Sequence, residues 1–254
     1  MIFKVKNNNY KNFDIYKENV MQPRSYFIPF SSLEQAGEND FRTERYNSSM
    51  VDVLSGEWDF KYYDAVSKVP DEIDIDSFEF DKVAVPSVWQ HTGYEKPYYV
   101  NSRYQFAPNP PEIPEDCPVG IYHKVFLIDD IDLNYTLTFL GVAGSLDVFV
   151  NGKYVGYSEG SHNTSEFEIN NFLTEGENHL VVVVHKFSNG TYLECQDMFR
   201  DNGIFRDVYI TKTTDNSIYD FRAVTKYNGG TSYSLSVIPV LKISDECEFG
   251  VNVI

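Results

Sequence analysis

The sequence predicts an all-β chain: a jelly-roll β-sandwich followed by the beginning of an immunoglobulin-like sandwich. Three observations carry this. Aromatic residues make up 16% of the 254, with 19 Tyr and 19 Phe, an excess that favours strands over helices. The stretch "LDVFVNGKYVGYSEG" alternates apolar and polar residues around Asn151-Gly152, a pair suited to a two-residue hairpin turn. Finally, "EGENHLVVVVHKF" holds a run, Leu180 to Val184, that is apolar on both faces, as expected of a strand inside a packed sandwich.

In chain order, residues 1–23 are polar and Asn/Lys-rich and read as an N-terminal arm or lead-in strand. A short helix is expected in "SSLEQAGEND", capped by Ser31 or Ser32, with Glu34 closing the first turn. Strands follow at "EWDFKYY" and "KVAVP". The next segment, "QHTGYEKPYYVNSRYQFAPNPPEIPEDCPVG", is too rich in proline for a central strand. A loop this long and aromatic is expected to be ordered against its own domain or a neighbour. Strands resume at "IYHKVFLI", "YTLTFLG", "SEFEI" and "FRDVYITKT", and the jelly roll spans 24–213. After the polar linker "TTDNS", residues 218–254 supply about three strands, too few for the seven of an immunoglobulin-like domain, which is therefore truncated.

The formal charge of −17 repels nucleic acid and anionic membranes, so neither is an expected partner, whereas a neutral ligand is indifferent to it. The first twenty residues hold no apolar run of signal-peptide length, and no transmembrane span follows. Cys117, Cys195 and Cys247 are odd in number and widely spaced, which fits reduced thiols and a cytoplasmic location.

The segment "YLECQDMFRDNGIFRDVYI" sets acids and arginines among aromatics. Read from the residues alone, Asp197 pairs with Arg200 on a surface turn. Arg200 and Arg206 find partners in acids such as Asp201 and Asp207. The histidines show no metal-ligand spacing, and Trp58 and Trp89 read as structural fillers. Tyr98, Tyr99 and Tyr104 face a ligand or pack the long loop.

"RSYFIPFSS", "LSGEWDFKYYDA", "VAVPSVWQHTGYEKPYYVN", "NPPEIPEDCPVGIYHKVF", "FVNGKYVGYSEGSHNTSEFEI", "GENHLVVVV" and "YLECQDMFRDNGIFRDVYI" occur together in one order. In that order the chain resembles the start of the large β-galactosidases of glycoside hydrolase family two, from about residue 24 to 213 and more weakly beyond. The resemblance implies a galactose-binding jelly roll, an immunoglobulin-like domain and a TIM barrel with the catalytic glutamates. Retaining glycosidases need two carboxyl groups about 5 Å apart, and the resemblance places both beyond residue 254. The chain alone is then expected to be inactive, with no catalytic residue of its own.

By the same resemblance, Asp197 in "QDM" contacts the galactosyl hydroxyls and helps to hold Na+, a site incomplete in this chain. Asn101 in "YYVN" reaches the same pocket. Mg2+ is expected only in the catalytic part. The implied partners are a β-galactoside, the remaining domains and further copies of the full enzyme. Cys195 and Phe199 depart from the family pattern of an acid before "QDM" and Trp after Met198, which makes the ion site less secure than the sugar contact. Nothing in the sequence activates Cys195, which reads as an inert thiol. Two other functions fit the residues: a self-sufficient lectin-like module, and a complementing fragment that docks on a separate catalytic chain.

Overall fold

In a computed structural model, described for residues 1–101, 103–194 and 196–250, the chain is almost entirely β. Two sheets carry the architecture. The larger has seven strands in the order Lys17–Glu18, Lys153–Glu159, Ser145–Val150, Gly176–His185, Val119–Ile128, Gly56–Tyr63 and Asp81–Val85. The smaller has four, Ser165–Glu168, Asn134–Phe139, Val208–Thr213 and Val51–Val53. All neighbours within both sheets are antiparallel.

The Leu180–Val184 run explains why the larger sheet is buried on both sides. Successive side chains of a strand point to opposite faces. Leu180, Val182 and Val184 enter the core between the two sheets, with Trp58, Phe60, Leu137, Phe139, Phe167 and Ile210. Val181 and Val183 enter a second core, with Phe3, Val5, Ile73, Ile121 and Phe149. Phe3 and Val5 come from the N-terminal segment: Ile2–Lys4 pairs with Glu72–Asp74, and Lys17–Glu18 extends the large sheet at its edge. Residues 1–23 thus lie on the sandwich and close its outer face.

The expected hairpin forms at Asn151 and Gly152, whose φ values of 50° and 76° are those a two-residue turn demands. The Asn151 amide also donates to Phe172 O and to the Asn178 side chain (2.9 and 2.7 Å), which locks the turn to the neighbouring strand. The short helix is Leu33–Glu38, with Ser32 as its cap accepting from Gln35 N at 3.1 Å. The side chain that reaches back is Gln35, to Ser31 N at 3.3 Å, rather than Glu34, because the third helical position is the one that faces the cap.

After residue 213 the described residues form two strands rather than three, Ser217–Gly229 and Ser232–Lys242, paired as one ribbon. Its base docks on residues 22–27: Arg24 donates to Tyr219 O (3.3 Å), Ser25 N donates to the Asp220 carboxylate (2.8 Å), and the Tyr219 hydroxyl donates to Gln22 O (2.9 Å). Farther out, Tyr227, Tyr233, Leu235, Ile238 and Val240 stand exposed.

Candidate functional site

Two short strands, Tyr99–Val100 and Met198–Phe199, form a separate antiparallel ribbon in the register Met198↔Val100 and Phe199↔Tyr99. Asn101 follows and Asp197 precedes the last pair of that ladder, Val100↔Met198, each in a bend, and both side chains are exposed. Residues 96 positions apart in sequence are thus brought to the same ribbon end. The Tyr99 hydroxyl donates to Asp197 Oδ1, and the Tyr99 and Phe199 rings lie 5.6 Å apart and tilted at 60°.

Arg200 fastens this ribbon. Its backbone N–H donates to Tyr98 O at 2.8 Å. Its guanidinium donates to Glu194 O (3.2 Å), Val100 O (3.3 Å), Asn101 O (3.3 Å) and Gln196 O (2.5 Å). The partners expected from sequence were carboxylates. Loop carbonyls on both segments take that place, since five fixed donors of a guanidinium suit several carbonyls at once. Likewise Arg206 donates to Leu140 O and His162 O (3.3 and 3.1 Å), while Asp207 accepts from Tyr46 and Ser55 (2.8 and 3.2 Å).

The ribbon is tied to the sandwich through Glu194, whose carboxylate accepts from Ser161 N and Ser161 Oγ, each at 2.7 Å. On its other side, Tyr104 donates to Tyr192 O (2.9 Å) and Tyr192 donates to Glu112 O (2.5 Å). The Tyr104 and Phe106 rings are tilted against each other (5.9 Å), the Tyr192 ring meets both edge to face (5.3 and 5.7 Å), and Phe106 meets Phe187 edge to face (4.9 Å). The proline-rich loop is thus ordered against its own domain, and Tyr104 serves that packing.

A cleft of about 390 Å³ opens beside the ribbon, lined by Met198, Phe199, Arg200, Asn202, His162 and Phe205 among others. Lys186, buried and also in its lining, pairs with the half-buried Glu95, which further accepts from Trp89 Nε1 (3.0 Å) and Gln90 Nε2 (2.8 Å). Asn101 and Asp197 flank this cleft by their place on the ribbon and are not part of its lining. Trp89 and Trp58, the latter donating to Leu54 O at 2.8 Å, are buried fillers as the sequence indicated. Cys195 lies outside the described residues.

Sequence reasoning named Asn101 and Asp197 but missed what holds them. An arginine next to two acids reads as an ion pair, and nothing local reveals that carbonyls a hundred residues away need donors. Tyr99, left open between packing and ligand contact, proves to touch Asp197.

A family model described as the sugar-binding domain of glycosyl hydrolases family 2 matches residues 51–214. A β-galactosidase of Staphylococcus xylosus is 41% identical over 219 residues, 85% of this chain and 21% of that protein. A β-galactosidase of Actinobacillus pleuropneumoniae is 41% identical over 203 residues, 80% of this chain and 20% of that protein. The chain thus spans about a fifth of the length of the curated relatives it matches. Among solved structures, a Ruminococcus gnavus β-glucuronidase superposes with a TM-score of 0.57 at 18% identity, over 77% of this chain and 33% of that one, a likeness of fold.

Proposed function

Because the chain belongs to glycosyl hydrolases family 2, of which it carries the sugar-binding domain, we propose that it is the N-terminal, sugar-binding portion of a β-galactosidase. The whole enzyme would hydrolyse terminal non-reducing β-D-galactosides such as lactose by a retaining mechanism. This portion forms one wall of the galactose subsite, and the catalytic carboxyl pair belongs to another part of the polypeptide.

The observation that carries the reading is that Asn101 and Asp197, both exposed, flank the last pair at one end of a ribbon beside a cleft. A carboxylate accepts from sugar hydroxyls, and an amide both donates and accepts, so the two together suit a polyhydroxylated neutral ligand. The 41% identity to two β-galactosidases favours galactosides over the glucuronides named for the structural neighbours.

Asp197 is also the residue that would hold Na+, a hard cation suited to carboxylate oxygen. With Oδ1 engaged by Tyr99, it brings one free oxygen. Among the described residues no group of three or more His, Cys, Asp and Glu is arranged to hold a metal, so the remaining ligands would have to come from elsewhere in the polypeptide.

The purified chain, assayed with a chromogenic β-galactoside, should give no turnover; turnover would refute the division of labour. Calorimetry with lactose separates this reading from a lectin-like module, which the cleft beside the ribbon would favour. One wall of a subsite binds too weakly to register, whereas a complete site gives a clear isotherm.

A further inference from the structure

We propose that Arg200 and Tyr99 are positioning residues for the Asn101–Asp197 pair, Arg200 fixing the backbone that carries both and Tyr99 limiting Asp197 to one outward oxygen. The inference rests on the reading of that pair as a sugar-facing wall.

The ribbon has two residues in each strand. An isolated pair of strands is marginal in water even when longer, so its register needs support from outside its own ladder. The Arg200 guanidinium supplies it, since among the described residues it donates to carbonyls of Glu194 and Gln196 on one segment and of Val100 and Asn101 on the other. Those last two partners are Asn101 itself and its neighbour, and Gln196 is the neighbour of Asp197. One rigid planar group thus sets the separation of the two side chains, a task that the point charge of a lysine cannot reproduce.

Tyr99 acts on direction. It sits one residue before Val100, and its hydroxyl takes Asp197 Oδ1. A carboxylate with one oxygen so engaged is held in one orientation, which leaves the other oxygen to accept from hydroxyls or to bind a cation. Removing the hydroxyl frees both the rotation and the second oxygen.

The test uses the isotopically labelled chain, read by NMR with methyl β-D-galactoside as probe at up to about 1 M, where contacts far too weak for calorimetry still shift resonances. Arg200→Ala should lose the cross-strand NOEs between residues 100 and 198 and between 101 and 197 while the sandwich spectrum stays dispersed. Millimolar methylguanidinium should restore them, and Arg200→Lys should not. Tyr99→Phe should keep the NOEs and weaken the galactoside-induced shift of the Asn101 side-chain amide roughly two- to tenfold, the worth of one hydrogen bond. Retention of the NOEs in Arg200→Ala, or failure of methylguanidinium to restore them, overturns the Arg200 role. Should the unmodified chain show no galactoside-induced shift while the NOEs respond as stated, the sugar reading fails and the positioning by Arg200 stands. A galactoside response unchanged in Tyr99→Phe overturns the Tyr99 role.

Discussion

Asp147 Oδ2 lies 3.6 Å from His185 Nδ1, both side chains buried beneath the N-terminal segment. Neither atom has a hydrogen-bond partner. Asn7 donates to Asp147 Oδ1, and the Tyr10 ring stacks on His185 at 4.4 Å. Burial pushes the Asp147 carboxyl up to about 8 and the His185 imidazole down to about 3.

The pH dependence of stability follows from these two shifts. Folded Asp147 keeps its proton where the unfolded chain releases it, so its contribution falls as pH rises from 3.8 to about 8. Folded His185 refuses a proton the unfolded chain takes, so its contribution falls as pH drops from 6.5 to about 3. Between pH 3.8 and 6.5 the two slopes oppose each other, and above 6.5 only that of Asp147 remains. Urea midpoints should therefore decline between pH 6.5 and 8, on the order of 2 kcal/mol in total, and Asp147→Asn should flatten that decline. An equally steep decline in Asp147→Asn would show that another group is responsible.

The N-terminal segment is core in all but its sequence position. Phe3 is fully buried against Ile73, Val181 and Val183. Phe3→Ala should cost about 3–5 kcal/mol in denaturant unfolding, and deletion of residues 1–6 should expose enough apolar surface to bind a hydrophobic dye. A loss below about 0.5 kcal/mol would mean that the segment is a loosely attached arm.

Gly144 has φ +106°, and a Cβ there would lie 2.1 Å from His185 O. Strain in a left-handed backbone alone costs about 1–3 kcal/mol, and the contact with a backbone oxygen adds to it. Gly144→Ala should therefore lower the melting temperature by several degrees and shift the neighbouring Ser161–Glu194 tie, visible as lost amide protection at Ser161.

Arg24 and Glu166 form a bidentate pair with Nε–Oε2 at 2.8 Å and Nη2–Oε1 at 2.7 Å, each side chain only 12% exposed. Breaking such a pair by removing one partner leaves a desolvated charge and costs about 3–5 kcal/mol. Glu166→Ala should show this, and Arg24→Ala should in addition release the 217–242 ribbon to limited proteolysis, since Arg24 also holds Tyr219 O. Unchanged cleavage in Arg24→Ala would assign the docking to Ser25 and Tyr219 instead.

Much of the sandwich is legible in the sequence because local signals and tertiary demands agree. Asn151-Gly152 turns, Ser32 caps, and the unbroken Leu180–Val184 run announces a strand with no wet face. The N-terminal segment is less legible: only Phe3, Val5 and Tyr10 of its first ten residues are buried, a pattern too sparse to stand out among asparagines. The site is legible in part. Asn101 and Asp197 are marked by motifs, whereas their convergence depends on a four-residue ribbon and one guanidinium whose partners no local pattern encodes.

The Gly176–His185 strand is a party wall between two apolar compartments. A defect introduced on either side displaces the same backbone, so damage under the N-terminus should be felt among the aromatics facing the smaller sheet, and repairs on one side can compensate losses on the other.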